Sequence, residues 1–212
     1  FAEFDLSESR EMGNYEKFFI SAIIGRNADE EGFELTHIEK KTVIAFYSMF
    51  GYYLSNHKDM AKSFACILTD EGANDENLNG RRGKNLIALG IRKFVSSLFK
   101  TGNEMFIDGF TFGDLEIFHD LLIIDELQAK FPYNNLFSPI TGDVVKNQKF
   151  IGRVVIPFAL VAKILLMTNF KFMYHKDDTS TNDRFREYKL TKFWQKQKVG
   201  DYFGQQFFSE DW

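Results

Sequence analysis

The sequence predicts an α/β fold, with a central, mainly parallel sheet flanked by helices and preceded by a small helical region. Three observations lead there. The runs SFACILTD, HDLLIIDELQ and KILLMTNF are apolar, of strand length and without the alternation of a half-solvated sheet, as expected of parallel strands buried on both faces. Segments with apolar residues three and four apart alternate with them, the order that an α/β architecture requires. The first run also leads through a polar segment into NGRRGKNLI, so that strand, loop and helix follow one another around Gly83-Lys84.

Each element can be justified in turn. Residues 15–24 and 36–54 carry helical periodicity and predict two packed helices, which form a region over 1–59 ahead of a core over 60–212. SFACILTD is a strand and EGANDENLNGRRG a loop. LIALGIRKFVSSLF, with its three-and-four spacing, is a helix that begins close to Lys84. MFIDGFTF offers strand residues around a turn at Asp108-Gly109. HDLLIIDELQ is a buried strand that ends on Asp125 and Glu126, and KILLMTNF is another that closes on Thr168-Asn169. Between these two, residues 134–140 suit a short helix and TGDVVKNQKFIGRVV a hairpin, while EYKLTKF supplies a last strand. A sheet so built carries its ligand crevice at the carboxyl ends of the strands.

Composition narrows the function. With 212 residues and 44% hydrophobic content the chain can bury a sizeable core, to which the 25 Phe and 8 Tyr contribute large aromatic residues. A net charge of −4 excludes a surface that coats nucleic acid throughout, but allows a local basic strip. The single Cys66 excludes an internal disulfide framework and a cysteine zinc site, and suits a reducing cytoplasm. The most apolar stretch, VVIPFALVAKILLM, is interrupted by Pro157 and Lys163 and is too short to span a membrane. The beginning FAEFDLSESRE is no secretory signal, and a start without Met predicts a piece of a longer chain.

The chemistry concentrates around NGRRGKNLI. A phosphate-binding loop of the form G-x-x-x-x-G-K-[ST] cradles phosphates with its amides, reaches them with its Lys and holds Mg²⁺ with its hydroxyl. Gly83-Lys84 fits that form, whereas Leu78 stands at the first glycine and Asn85 at the hydroxyl, so a basic turn before a helix is the competing reading. On the loop reading Gly80, Arg82, Gly83, Lys84, Asn85 and Leu86 hold the phosphates, and Lys84 is expected on a solvated loop. Asp125 and Glu126 supply one acid for Mg²⁺ and a second for the attacking water. Asn169, after the next strand, can touch the γ-phosphate from the opposite side. Arg184 or Arg186 can neutralise charge on a neighbour's phosphoryl group. Lys146, Lys149 and Arg153 make the hairpin basic enough to grip the phosphates of a single strand.

Taken in order, NGRRGKNL, LLIIDEL, FSPITGDVVKNQK, ILLMTNF and NDRFREYKL resemble the motifs of the superfamily 3 helicase domains of the AAA+ class, above all the primase-helicases of phages and mobile elements. The likeness covers about 60–212, and YFGQQFFSEDW resembles the segment that follows such a core. It implies an AAA+-type P-loop ATPase in the cytoplasm of a bacterial host, a homo-hexameric ring that uses ATP and Mg²⁺ to translocate on single-stranded DNA and separate a duplex. It implies Lys84 on phosphate, Asn85 and Asp125 on Mg²⁺, Glu126 on the water, Asn169 on the γ-phosphate and Arg184 on the neighbour's ATP, with Arg186 in reserve. Lys146 and Lys149 would face the ring's channel. Asn85 and Leu78 depart from the family, and an amide fits a near-ideal octahedral Mg²⁺ shell less well than a hydroxyl does. Two other readings therefore stand beside the helicase: a structural subunit that binds nucleotide or DNA with little or no turnover, and another P-loop motor such as a packaging ATPase.

Overall fold

The structure is a computed structural model that describes residues 11–73, 80–105, 111–148, 150–172, 179–196, 198–204 and 207–208. Leu78, Lys149 and the turn at Asp108-Gly109 lie outside the described residues.

Two helices open the chain, α1 (Asn14–Ile24) and α2 (His37–Leu54). α2 begins at Thr36, whose hydroxyl accepts the Glu39 amide at 3.3 Å while Glu39 Oε2 accepts the Thr36 amide at 2.7 Å, a reciprocal cap that satisfies two orphan donors. Arg26 then clamps both oxygens of Glu39. These contacts hold the Glu39 carboxyl well down, at a pKa of about 2, chiefly through Arg26.

The core strands follow as β1 (Ala65–Asp70), β2 (Ser97–Thr101), β3 (Leu121–Leu127), β6 (Lys163–Thr168) and β7 (Phe185–Leu190). Between β3 and β6 stand α4 (Phe137–Thr141) and the hairpin of β4 (Val144–Gln148) and β5 (Gly152–Ile156). α3 (Lys84–Arg92) follows the loop after β1, α5 (Thr179–Arg184) precedes β7, and α6 (Val199–Phe203) comes last. The five core strands form one parallel sheet in the order β2-β3-β6-β1-β7, an α/β arrangement consistent with a P-loop NTPase-like core.

The pleat divides each apolar run between two cores. Cys66, Leu68, Leu121, Ile123, Leu165 and Met167 pack against Phe18, Phe19, Phe46 and Met49 of α1 and α2, together with α3. Ile67, Leu122, Ile124, Ile164 and Leu166 face the other way, toward Leu115, Leu136, Ile140, Val144 and Ile156. β1 and β6 are buried at every position, which is why their sequences read as continuous apolar runs.

One predicted element is corrected. The helix expected through LIALGIRKFVSSLF stops at Arg92, and SLFKT becomes β2, paired with β3 from Ser97↔Leu121 to Thr101↔Asp125. Val95, Ser96 and Ser97 are weak helix formers, and the backbone groups of β3 need a neighbouring ladder, so sheet pairing overrides the helical spacing. β2 is therefore a strand between the loop and the acids; of MFIDGFTF, the described Thr111 and Phe112 lie in a turn, and residues 106–110 lie outside the described residues. No helix among the described residues is long and apolar enough to cross a membrane.

Candidate functional site

β1 delivers Asp70 to the carboxyl edge of the sheet, where the described chain resumes at Gly80 and enters α3. Gly83 is the N-cap of α3 with φ +96°, and a Cβ there would stand 2.7 Å from the Phe18 ring. Glycine is thus demanded both by dihedral angle and by the close approach of α1. Arg81 also takes a positive φ, 68°.

Lys84 is the first residue of α3 and is buried, not solvated as the loop reading expected. Its Nζ donates to Asp70 Oδ1 at 2.6 Å and to the Asn169 amide oxygen at 2.7 Å. Burial depresses the Lys84 ammonium pKa, with Asp70 and then Asp125 acting in the opposite sense. Burial likewise raises the Asp70 carboxyl, and Lys84 opposes it. Both charges are held by one another against a poorly solvating surround.

Arg82 is fully buried and donates through one guanidinium nitrogen to Glu71 O at 2.6 Å and Leu190 O at 3.1 Å, with Nε 3.8 Å from Asp70 Oδ2. Its side chain staples the loop to the ends of β1 and β7, which leaves its backbone to serve a ligand.

Across the crevice β3 presents Asp125 and Glu126. Asp125 is buried and its Oδ1 accepts the Glu126 amide at 2.7 Å, whereas Glu126 is exposed and has φ +55°. A cavity of about 800 Å³ collects these groups. One wall is Gly80 to Leu86 with Leu89, the floor is Asp125, Glu126 and Asn169, and the far wall is Trp194 to Lys196, Lys198 to Asp201 and Phe207. All nine residues expected on nucleotide, Mg²⁺ or water, namely Gly80, Arg82, Gly83, Lys84, Asn85, Leu86, Asp125, Glu126 and Asn169, therefore line one space.

Among the described residues no three His, Cys, Asp or Glu gather as a metal site. A phosphate-loop Mg²⁺ needs only one or two protein oxygens beside the phosphates. The Asp125 carboxylate and the exposed Asn85 amide, residues that both line the cavity, are oxygen donors of that kind.

No family model matches the sequence, and no curated protein does. Among solved structures it is similar to the A form apo structure of the C-terminal region of NrS-1, with a TM-score of 0.55 and 16% identity over 89% of this chain and 40% of that one. A second A form apo structure of the same region matches over 95% of this chain and 40% of that one, at a TM-score of 0.48 and 14% identity. The first is a likeness of fold, in a protein of which this chain spans well under half.

The arginines stand apart from the cavity. Arg184 ends α5, donates to Ser180 O at 3.0 Å and lies over the Phe137 ring at 4.8 Å. Arg186, exposed on β7, donates to the carbonyls of Asn182 and Phe185. Neither lines the pocket of its own chain.

The hairpin needs a correction. Lys146, expected to face DNA, is 3% exposed, and its Nζ donates to Leu115 O at 2.5 Å and Glu116 Oε1 at 2.8 Å. The pleat puts Val144, Lys146 and Ile156 toward the core, whereas Val145 and Val155 face out with Asn147 and Arg153. A count of charges along the hairpin does not register that parity. Arg153 is exposed and remains available.

Sequence reasoning missed Asp70 and the far wall. Asp70 had the same signal as Asp125, an acid that ends a buried apolar run. Residues 194–201 carried none.

Proposed function

We propose that this chain is the ATP-hydrolysing core of a replicative helicase of a phage or mobile element, of the superfamily 3 primase-helicase type. The observation that carries the reading is the convergence of Lys84, Asp125, Glu126 and Asn169, from separate segments, on one cavity at the carboxyl edge of a parallel sheet. The resemblance of the ordered motifs supports the replication role.

ATP would bring its phosphates to the amides at the start of α3, and Lys84 would exchange Asp70 for phosphate oxygens. Asp125 and Asn85 would hold Mg²⁺, which supplies charge neutralisation on the phosphates when bound. Glu126 takes a proton from water as the water oxygen bonds to the γ-phosphorus; the bond from that phosphorus to the bridging oxygen breaks, and ADP leaves with the electron pair. Asn169, already aligned by Lys84, orients the γ-phosphate. Arg184, or Arg186 in its place, serves the site of a neighbour in a hexameric ring. With Lys146 committed to Glu116, contact with single-stranded DNA falls to Arg153 and to Lys149, which lies outside the described residues.

A second reading, a nucleotide-binding subunit without turnover, is favoured by Asn85 in place of a hydroxyl and by the pairing of Lys84 with Asp70. One experiment separates the two: ATP hydrolysis with and without single-stranded DNA, for the parent and Glu126→Gln. Turnover stimulated by DNA and lost in Glu126→Gln is expected. ATP binding with no turnover in the parent would select the second reading, and turnover without strand displacement from a forked duplex would select another P-loop motor.

A further inference from the structure

Asp125 and Glu126 are consecutive in a strand and both line the same cavity, whereas a regular strand turns consecutive side chains to opposite faces. The register of β3 accounts for it. β3 pairs with β6 regularly from Leu121↔Lys163 to Ile124↔Leu166, and then Leu127 pairs with Thr168, so β3 spends one more residue than β6 over the same length. This is a bulge, and Glu126 sits in it with φ +55°, in the left-handed region that a glutamate rarely adopts.

Two residues outside the acidic pair contact the backbone of that segment. Gly102, directly after β2, lies so close that a Cβ on it would stand 2.7 Å from Glu126 O and 2.9 Å from Leu127 Cα, both backbone atoms that cannot swing aside. Its φ is not in the left-handed region, so glycine is needed there for space and not for its dihedral freedom. On the other side the Thr168 hydroxyl, buried at the end of β6, donates to Leu127 O at 2.8 Å and accepts the Phe170 amide at 3.1 Å. The same hydroxyl thus ties the exit of the bulge to the turn that carries Asn169.

We infer that Gly102 and Thr168 are positioning residues which hold the β3 bulge and so aim the Glu126 carboxylate into the cavity beside Asp125. The inference rests on the hydrolytic reading of the site for its kinetic consequence, but not for its structural one. Strain of this kind persists only where neighbours enforce it, and bulges beside active sites commonly re-aim a side chain.

The test compares Gly102→Ala, Thr168→Val, Thr168→Ser, Glu126→Gln and the double variant Gly102→Ala/Glu126→Gln, each as the full chain. DNA-stimulated ATP turnover and the affinity for ATPγS are measured together. Gly102→Ala is expected to lower kcat by about a hundredfold, the order that a shift of roughly 1 Å produces, with ATPγS affinity retained. The double variant should be no slower than Glu126→Gln alone, because both changes remove the same contribution. Thr168→Val should slow turnover and Thr168→Ser should restore it, and this pair carries the test if Gly102→Ala does not fold. Parent-like turnover in Gly102→Ala beside an inactive Glu126→Gln overturns the inference, as does an additive loss in the double variant. If Glu126→Gln is itself as active as the parent, the hydrolytic role of Glu126 fails instead. A crystal structure of Gly102→Ala then decides the positioning claim without reference to turnover: a Glu126 that keeps its positive φ and its place in the cavity overturns it, and a regularised strand upholds it.

Discussion

Lys84 and Lys163 are buried lysines at opposite ends of the same parallel sheet, and they have opposite kinds of partner. At the amino end Lys163 opens β6 and donates to the Tyr52 and Ser55 carbonyls at the C-terminus of α2, with the Tyr52 ring 4.3 Å below its ammonium. At the carboxyl end Lys84 is held by the side chains of Asp70 and Asn169 beside a cavity of about 800 Å³. Burial lowers the pKa of both. Burial and a perturbed pKa therefore do not distinguish a site from a strut. Main-chain carbonyls at a helix end are fixed and need the ammonium where it is, which makes Lys163 a cap. Side-chain partners at an open cavity can be exchanged for a ligand's oxygens, which gives Lys84 something to do.

The sharpest way to break the contrast is Lys84→Ala, which should abolish ATPγS binding. Because Lys84 is buried against Asp70, the variant should also lose stability, by roughly 3 kcal/mol near neutral pH, since the Asp70 carboxylate is left inside without its hydrogen-bonded partner and with only Arg82 Nε, 3.8 Å away, to oppose its charge. The sign follows from Asp70, whose folded-state pKa already lies above its ordinary 3.8 and rises further without the lysine. A group with a raised pKa contributes stability that is lost as pH rises through it, so the variant should be most stable in acid and weaken toward neutrality. Denaturant titrations over that range check this. Lys84→Ala/Asp70→Asn should recover stability without recovering nucleotide, and a double variant that binds ATPγS as well as the parent would remove Lys84 from the site.

The reverse result is expected at the other end. Lys163→Met should leave ATPγS affinity unchanged and lower stability by about 1–3 kcal/mol, the cost of leaving the α2 carbonyls without a donor. A changed affinity with parent-like stability would make Lys163 a functional residue and erase the distinction.

The smallest effect tests the far end of the same helix, where the cap is local. Thr36→Ala should cost about 1 kcal/mol. Glu39, held at a pKa of about 2 against an ordinary 4.5, contributes stability that is complete above the higher value and lost as pH falls through the lower. The stability difference between the parent and Glu39→Gln should therefore shrink between about pH 4.5 and 2. A difference that stays constant over that interval would mean that the Arg26–Glu39 clamp contributes nothing to the cap.

Much of the fold and of the site could be read directly from residues. The runs CIL, LLII and ILLM announced strands buried on both faces, because burial on both faces leaves the middle of a strand no solvated position for a polar residue. Asp125-Glu126 and Asn169 each stood at the carboxyl end of a strand and Gly83-Lys84 where the loop after a strand enters a helix, and the sheet brought them to one cavity because parallel strands share a carboxyl edge. Local spacing misjudged Ser97, Leu98 and Phe99, which helical periodicity claimed and the edge of β3 took. It also misjudged Lys146, whose charge was counted along the hairpin although the pleat turned it inward to Glu116, 30 residues away. Only the tertiary structure decided that Lys84 rests on Asp70 and Asn169, 14 and 85 residues distant, that Arg82 is a staple, and that a bulge beside Gly102 interrupts β3 at Glu126. The physical reason is one of range. Periodicity and capping are settled among residues a few positions apart, whereas the partner of a buried charge and the space beside a backbone are settled by whichever distant segment the sheet lays next to them.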